Sequence, residues 1–229
     1  MALEAARGNP SKSRWFQRHL NSPPWLVNTY FMSRLTSEAR RGSIMDAAIE
    51  VFAGSGFRGT TTSALAKAAG ITEALLYRHF RSKKHLFIGA VEQVLASVDR
   101  EVERNLAAHD HPIDALSALL LYFQNELRRH PQFGQLTYTV ANELGDPEMR
   151  AVYLRYQDSI LSRLENAIRG WAQDGTVRSG VDARAAAWII LGAHQTLTLM
   201  QKCDRLDEIG PEHVRSFVSA FLVEGADVD

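Results

Sequence analysis

The sequence predicts an all-α protein of about nine helices, with a small N-terminal three-helix unit ahead of a larger C-terminal helical bundle. Three observations carry this. Apolar residues recur at i, i+3, i+4 and i+7 in every long segment, as on one face of a helix. No segment shows the strict apolar–polar alternation of a half-buried strand. Charge is unevenly spread along a chain that is neutral overall, with 26 Lys+Arg against 26 Asp+Glu. Residues 1–36 carry 5 basic and 1 acidic side chain, residues 37–90 carry 8 and 4, and residues 91–229 carry 13 and 21. A basic front joined to an acidic remainder is expected where only one end meets phosphate.

The chain has 229 residues, 45% of them hydrophobic, enough for one large domain or two small ones. A single cysteine, Cys203, excludes an internal disulfide and a cysteine-based zinc site, and fits a reducing compartment. No apolar run approaches the roughly 20 residues of a membrane span, and the N-terminus lacks the apolar core of a signal peptide. The expectation is a soluble, cytoplasmic protein with no membrane partner.

Residues 1–36 mix Gly8, Pro10, Pro23 and Pro24 with Trp15, Phe16, Trp25, Tyr30 and Phe31, and read as a disordered extension. A basic arm reaching a DNA minor groove is the alternative. Met32-Ser33-Arg34 also resembles a start. The first firm helix is expected from about Ser37 to Ala53, with Ile44, Ala47, Ala48, Val51 and Phe52 on one face and Gly54-Ser55-Gly56 ending it. Phe57 is placed to plug the core behind that break. Thr61 and Thr72 are N-cap candidates for two short helices separated by Gly70, and Ser82 for a long helix reaching about Ala108. Pro112 opens the next helix, Pro131 breaks it, and a shorter one runs on to about Leu144. Gly145-Asp146-Pro147 caps a helix to about Gln173. Asp182 caps another to about Asp204, expected to bury Ala185, Trp188, Ile189, Gly192, Thr196, Leu199 and Cys203. The last runs from about Pro211 to Glu224. Domain boundaries are expected at 1–36, 37–84 and 85–229.

The stretch Thr60–Lys84 is the most informative. Leu65, Ala66 and Ala69 share a buried face, Gly70 allows a sharp exit, and Leu76 and Phe80 lie one turn apart on the following helix. Two short helices joined by a glycine turn make a helix-turn-helix, whose second helix enters the DNA major groove. The run from Arg40 to Phe87 resembles the DNA-binding domain of the TetR family of bacterial transcriptional repressors. The matching pieces include Ala47-Ala48, Val51-Phe52, Gly56-Phe57, Thr60-Thr61, Leu65-Ala66, Ala69-Gly70-Ile71, Tyr77, His79-Phe80, Lys83 and Leu86. Ala74 stands where glycine is frequent, and Lys84 and His85 where acidic residues are common.

The resemblance implies a ligand-responsive repressor that binds a pseudo-palindromic double-stranded operator as a homodimer. Thr61, Tyr77, His79 and Lys83 are then the phosphate-facing candidates. Thr72, Glu73, Ala74, Leu75 and Arg78 are the base-reading ones, arginine suiting guanine and glutamate suiting cytosine N4. Pairing of the last two helices across a dimer is implied as well, and Ala185-Ala186-Ala187, Gly192 and Ala193 are small enough for it. A small apolar or amphipathic effector is expected within residues 112–200. Its candidate contacts are Phe123, Tyr138, Tyr153, Tyr156, Gln157, Trp188, His194 and Gln195, each of which taken singly also reads as ordinary core. No cofactor or metal is expected: His109-x-His111 lacks carboxylate or thiolate company, and no Gly-x-Ser-x-Gly, His-Glu-x-x-His or P-loop occurs, so an enzyme is not expected. An all-α small-molecule carrier or enzyme that has lost DNA function, and an architectural protein that binds DNA with little sequence preference, are the remaining alternatives.

Overall fold

The computed structural model describes residues 37–222, so the expectations for 1–36 lie outside the described residues. Nine α-helices and one 3-10 turn make up the described chain. They are α1 (Ser37–Gly59), α2 (Thr62–Ala68), α3 (Glu73–His79), α4 (Lys83–Ala107), α5 (Pro112–Arg129), α6 (Pro131–Ala141), α7 (Pro147–Gln173), α8 (Ala183–Lys202), the turn Leu206–Glu208, and α9 (Pro211–Leu222). No strand occurs among the described residues.

The helix starts follow from local hydrogen bonds. Thr61 Oγ1 accepts from Ala64 N at 3.1 Å, Thr72 Oγ1 from Leu75 N at 3.2 Å, and Ser82 Oγ from His85 N at 3.0 Å. Asp146 Oδ1 takes Glu148 N and Met149 N at the head of α7, and Asp182 takes Ala185 N at the head of α8. Each bond satisfies a donor that the first turn leaves orphaned. Proline opens α5, α6, α7 and α9, where its missing N–H costs nothing.

One boundary differs from the sequence expectation. Helix α1 does not stop at Ala53 but continues past Gly54 and Ser55 and breaks at Gly56, where φ 68° and ψ 172° interrupt it before a last turn to Gly59. That backbone region is open essentially to glycine alone, so of the two glycines Gly56 makes the corner.

Two hydrophobic cores result. The first gathers Ile44, Ala48, Ile49 and Phe52 of α1, Leu65 of α2, Leu76 of α3 and Phe80 around the start of α4. The Phe87 ring lies 5.0 Å from both Phe52 and Phe57, which half-plugs the corner as expected. Leu136 and Val140 of α6 and Met149 and Val152 of α7 belong to this same core, so packing is continuous across the sequence boundary expected at residue 84. The second core is built from α4, α5, α7, α8 and α9. Tyr156 packs against both. Glycine is needed at Gly134, where a Cβ would lie 2.5 Å from Leu127 Cδ2 and 3.0 Å from Thr198 Cγ2; α6 thereby comes close to α5 and α8.

The buried face of α8 is a correction. Ala186, Ala187, Ile190, Leu191, Leu197 and Thr198 are inside, whereas Ala185, Trp188, Ile189, Thr196, Leu199 and Cys203 are exposed. This helix is apolar nearly all round, so helical spacing fits two faces equally and only the neighbours decide. Trp188 and Leu199 are each 47% exposed, and Phe217 of α9 is 39% exposed. All three are large apolar side chains left exposed on the single chain.

Candidate nucleic-acid interface and effector cavity

Helix α3 displays its ends and buries its middle. Leu76 is 2% exposed and holds the helix to the first core, as does Phe80 just beyond it. Thr72, Glu73, Ala74, Tyr77 and Arg78 are all exposed, the last two on the same side one turn after Glu73 and Ala74, while Leu75 and His79 are half-buried. Tyr77, at 48% exposure, is a large ring left in solvent in a helix of seven residues. The orientation of α3 is fixed from both ends. Thr62 Oγ1 donates to Glu73 Oε2 at 2.7 Å, tying the starts of α2 and α3. Arg41 Nη1 donates to His79 O at 2.9 Å, and its guanidinium lies 4.3 Å over the Phe80 ring. Neither Arg41 nor Thr62 stood out in the sequence, because their partners lie 38 and 11 residues away.

Lys83 is placed differently from the sequence expectation. Its Nζ donates to Phe57 O at 2.9 Å and Thr60 O at 2.8 Å, and sits 4.6 Å over the Phe57 ring. Two of its three donors are thus engaged by the α1–α2 corner, where Thr60 Oγ1 also donates to Gly56 O at 2.7 Å. Thr61, the cap of α2, is exposed right beside this clamp. The other cations between residues 58 and 84 are Arg58, Lys67, Arg78, Arg81 and Lys84.

The base of the helix-turn-helix is also tied to the turn between α6 and α7. Arg58 pairs with Glu143 at 3.1 Å, and Lys84 with Asp146 at 2.7 Å and Glu148 at 2.9 Å. The bond from Lys84 holds the Asp146 carboxyl below its ordinary range, and Asp146 in turn raises Lys84. Further along α4, Asp99 accepts both Arg163 nitrogens at 2.9 and 3.1 Å and Ser159 Oγ at 2.8 Å, joining α4 to α7. Arg163 is held charged above its ordinary value by that bond.

Between α4, α5, α7 and α8 lies a void of about 10 Å³. That is room for at most one water, so the structure is closed at this point. Nine of its lining side chains are apolar, and the polar ones are Tyr156 and His194. The His194 ring lies 4.4 Å from that of Phe123. Burial pushes the imidazole down to about 4, so it is neutral at pH 7, and burial also raises the Tyr156 hydroxyl. The buried side-chain atoms that lack a hydrogen-bond partner among the described residues are Ser117 Oγ and Gln201 Oε1, and the exposed surface of the void itself is apolar.

Of the eight candidate effector contacts, the cavity unites Phe123, Tyr156 and His194. The other five lie elsewhere. Gln195 is exposed and donates to Tyr153 Oη at 3.3 Å; the Tyr138 ring sits under Lys202 Nζ at 4.6 Å; Trp188 faces outward with Arg184 beside it at 5.9 Å; and Gln157 is half-buried off the cavity. The aliphatic lining, from Val98 and Val102 of α4 to Leu119 and Leu120 of α5, carries no chemical mark that separates it from core in the sequence. No group of His, Cys, Asp and Glu that could hold a metal occurs among the described residues, and no helix among them is long and apolar enough to cross a membrane.

Residues 44–90 match the family described as bacterial regulatory proteins, tetR family. The nucleoid occlusion factor SlmA of Marinobacter nauticus is 30% identical over 152 residues, covering 65% of this chain and 74% of that one. The transcriptional repressor KstR of Mycobacterium tuberculosis is 29% identical over 102 residues, 43% of this chain and 46% of its own length. Among solved structures, the transcriptional regulator FadR of Bacillus subtilis in complex with stearoyl-CoA superposes with a TM-score of 0.68 at 21% identity, covering 80% of this chain and 98% of that one.

Proposed function

Since the chain belongs to the TetR family of bacterial regulatory proteins and is a DNA-binding transcriptional regulator rather than an enzyme, we propose that it is a repressor released from a two-fold operator by a ligand held between α4, α5, α7 and α8. The observation that carries this is the reach of α4. It starts at Lys83, clamped to the helix-turn-helix, and its far half lines the cavity through Val98 and Val102. A ligand that enlarges the closed void must part α4 from α5, α7 or α8, and a shift of α4 moves the helix-turn-helix it begins in.

On this reading residues 37–84 bind DNA, residues 85–229 bind the effector and dimerise, and 1–36 are an extension. Tyr77, Thr61 and His79 position the domain on phosphate, with backbone N–H groups of the capped helix starts adding to the field there. Thr72, Glu73, Ala74, Leu75 and Arg78 face the bases, Arg78 being suited to guanine. Lys83 acts one step back, holding the corner that presents Thr61. The exposed Trp188, Ile189, Leu199 and Phe217 pair with their copies in a second chain, and two-fold symmetry then sets two α3 helices about 34 Å apart for successive major grooves. The protein works in the cytoplasm, where its DNA is.

A Tyr77→Ala variant tests the interface. Its affinity for duplexes retained by the native protein is expected to fall about tenfold, with the salt slope smaller by about one phosphate. Retention equal to that of the native protein across salt concentrations removes α3 from the interface.

A further inference from the structure

We infer that Thr62 is a positioning residue for base selection: its hydroxyl holds the Glu73 carboxylate so that one position in each half-site is read as cytosine. The inference rests on the reading above that the exposed face of α3 meets the bases, and it adds a residue that touches no base itself.

Thr62 and Glu73 are the first residues of α2 and α3, and each directly follows the N-cap of its helix. Thr61 Oγ1 accepts from Ala64 N and Thr72 Oγ1 from Leu75 N, which sets the backbone at both places. Leu65 anchors α2 in the first core and Leu76 anchors α3. The turn between them is closed by Gly70 N to Lys67 O at 3.1 Å and Ile71 N to Ala66 O at 3.0 Å. The 2.7 Å bond from Thr62 Oγ1 to Glu73 Oε2 therefore spans two helix starts that are already fixed. Thr62 is half-buried, whereas Glu73 is exposed.

A threonine hydroxyl has one proton to give, and a carboxylate that takes it keeps lone pairs for a second donor. A glutamate free on an exposed helix samples many rotamers and can turn its charge into water, so the base opposite hardly matters. A held carboxylate has no such escape. Cytosine offers it the N4 amino group, while guanine presents O6 and N7, thymine presents O4, and adenine sets its N7 acceptor beside the N6 amino group. Selectivity then comes from repelling the wrong bases as much as from bonding the right one. Fixing the side chain before DNA arrives also removes an ordering cost from binding.

The test is selection of bound duplexes from a random pool by the full chain, run for the native protein, Thr62→Val, Thr62→Ala, Thr62→Ser, Glu73→Ala and Arg78→Ala, with melting followed by circular dichroism. The native pool should prefer cytosine at one position of each half-site, and Glu73→Ala should lose that preference. Thr62→Val, which keeps the β-branched shape without the donor, and Thr62→Ala should weaken it about tenfold at that position alone. Thr62→Ser, which restores the donor, should keep it. Pools of Thr62→Val and Thr62→Ala identical to the native one, a loss spread evenly over the half-site, or a Thr62→Ser pool that behaves like Thr62→Val overturns the inference. Sites relaxed by Arg78→Ala but untouched by Glu73→Ala overturn it while leaving α3 as the reading helix; a native pool with no preferred base overturns both.

Discussion

Replacing Lys83 by methionine separates two uses of the same side chain. Methionine keeps an apolar stem of similar length over the Phe57 ring and removes the ammonium. What is lost is a pair of charge-assisted bonds, at 2.9 Å to Phe57 O and 2.8 Å to Thr60 O, together with the cation over the ring at 4.6 Å. Hydrogen bonds to a charged group are worth about 1.5–3 kcal/mol each and the cation–ring contact about 0.5–1 kcal/mol. Water can reach part of this corner and replace some of that, but Thr60 is 2% exposed and its carbonyl is the harder one to resolvate. The expected loss is about 2–3 kcal/mol in urea unfolding, or a fall in Tm of about 5–10 °C for a chain of this size. The accompanying assay is DNA affinity against salt, using duplexes retained by the native protein. A clamp predicts an unchanged slope of log K against log salt with a uniformly weaker affinity, because Thr61 and α2 are less well held. A direct phosphate contact predicts a slope smaller by about 0.9 and little change in stability. A Lys83→Met protein as stable as the native one to within 0.5 kcal/mol, with the reduced slope, refutes the reasoning.

Other outcomes follow from the same geometry. Gly56→Ala should cost about 1–3 kcal/mol purely through its backbone, since nothing lies within 4 Å of the added Cβ while φ 68° and ψ 172° exclude it; equilibrium unfolding checks this. His194 lowers acid stability: its folded value of about 4 lies below the unfolded 6.5, so the unfolded chain binds the proton first and stability falls as pH drops from about 6.5 to 4. The full loss is about 3 kcal/mol, and His194→Phe should flatten that part of a pH-dependent unfolding curve. Asp146 acts in its own, lower window, its pairing with Lys84 being lost as pH falls through its depressed value. Ile189→Glu with Leu199→Glu should halve the mass seen in sedimentation and abolish tight DNA binding while leaving the helical circular dichroism intact.

Helix number and most helix starts are legible in the sequence, because each rests on residues within four positions of one another. Thr61, Thr72, Ser82, Asp146 and Asp182 cap where a Ser, Thr or Asp ahead of an apolar stripe says they should. What needed the structure is whatever depends on a distant partner. Lys83 meets carbonyls 23 and 26 residues back, and Arg41 a carbonyl 38 residues ahead, contacts without any periodic signature. The face of α8 was misread because Trp188, Ile189 and Leu199 are as apolar as the buried Ile190, Leu191 and Leu197. The cavity was half read: its two polar residues and Phe123 stand out by type, but aliphatic lining and aliphatic core are the same residues until rotation about each helix axis is known.

The proposed coupling between the halves would run through shared packing. Tyr156 touches both cores and borders the void, and α7 begins at the Asp146 and Glu148 carboxylates that hold Lys84. On the proposed reading, a shift of α7 at Tyr156 is the route by which a ligand would reach the turn that supports the helix-turn-helix. A shift from mostly bound to mostly free asks a ligand to favour the released arrangement by about 5.5 kcal/mol.

Selection of bound duplexes from a random pool, run in parallel for the native chain and Arg78→Ala, tests the central claim most directly. The native chain should recover an inverted repeat whose half-sites are one or more helical turns apart, and Arg78→Ala should recover the same repeat with one position per half-site relaxed. A native pool without an enriched inverted repeat, or an Arg78→Ala pool identical to it, contradicts recognition through the exposed face of α3.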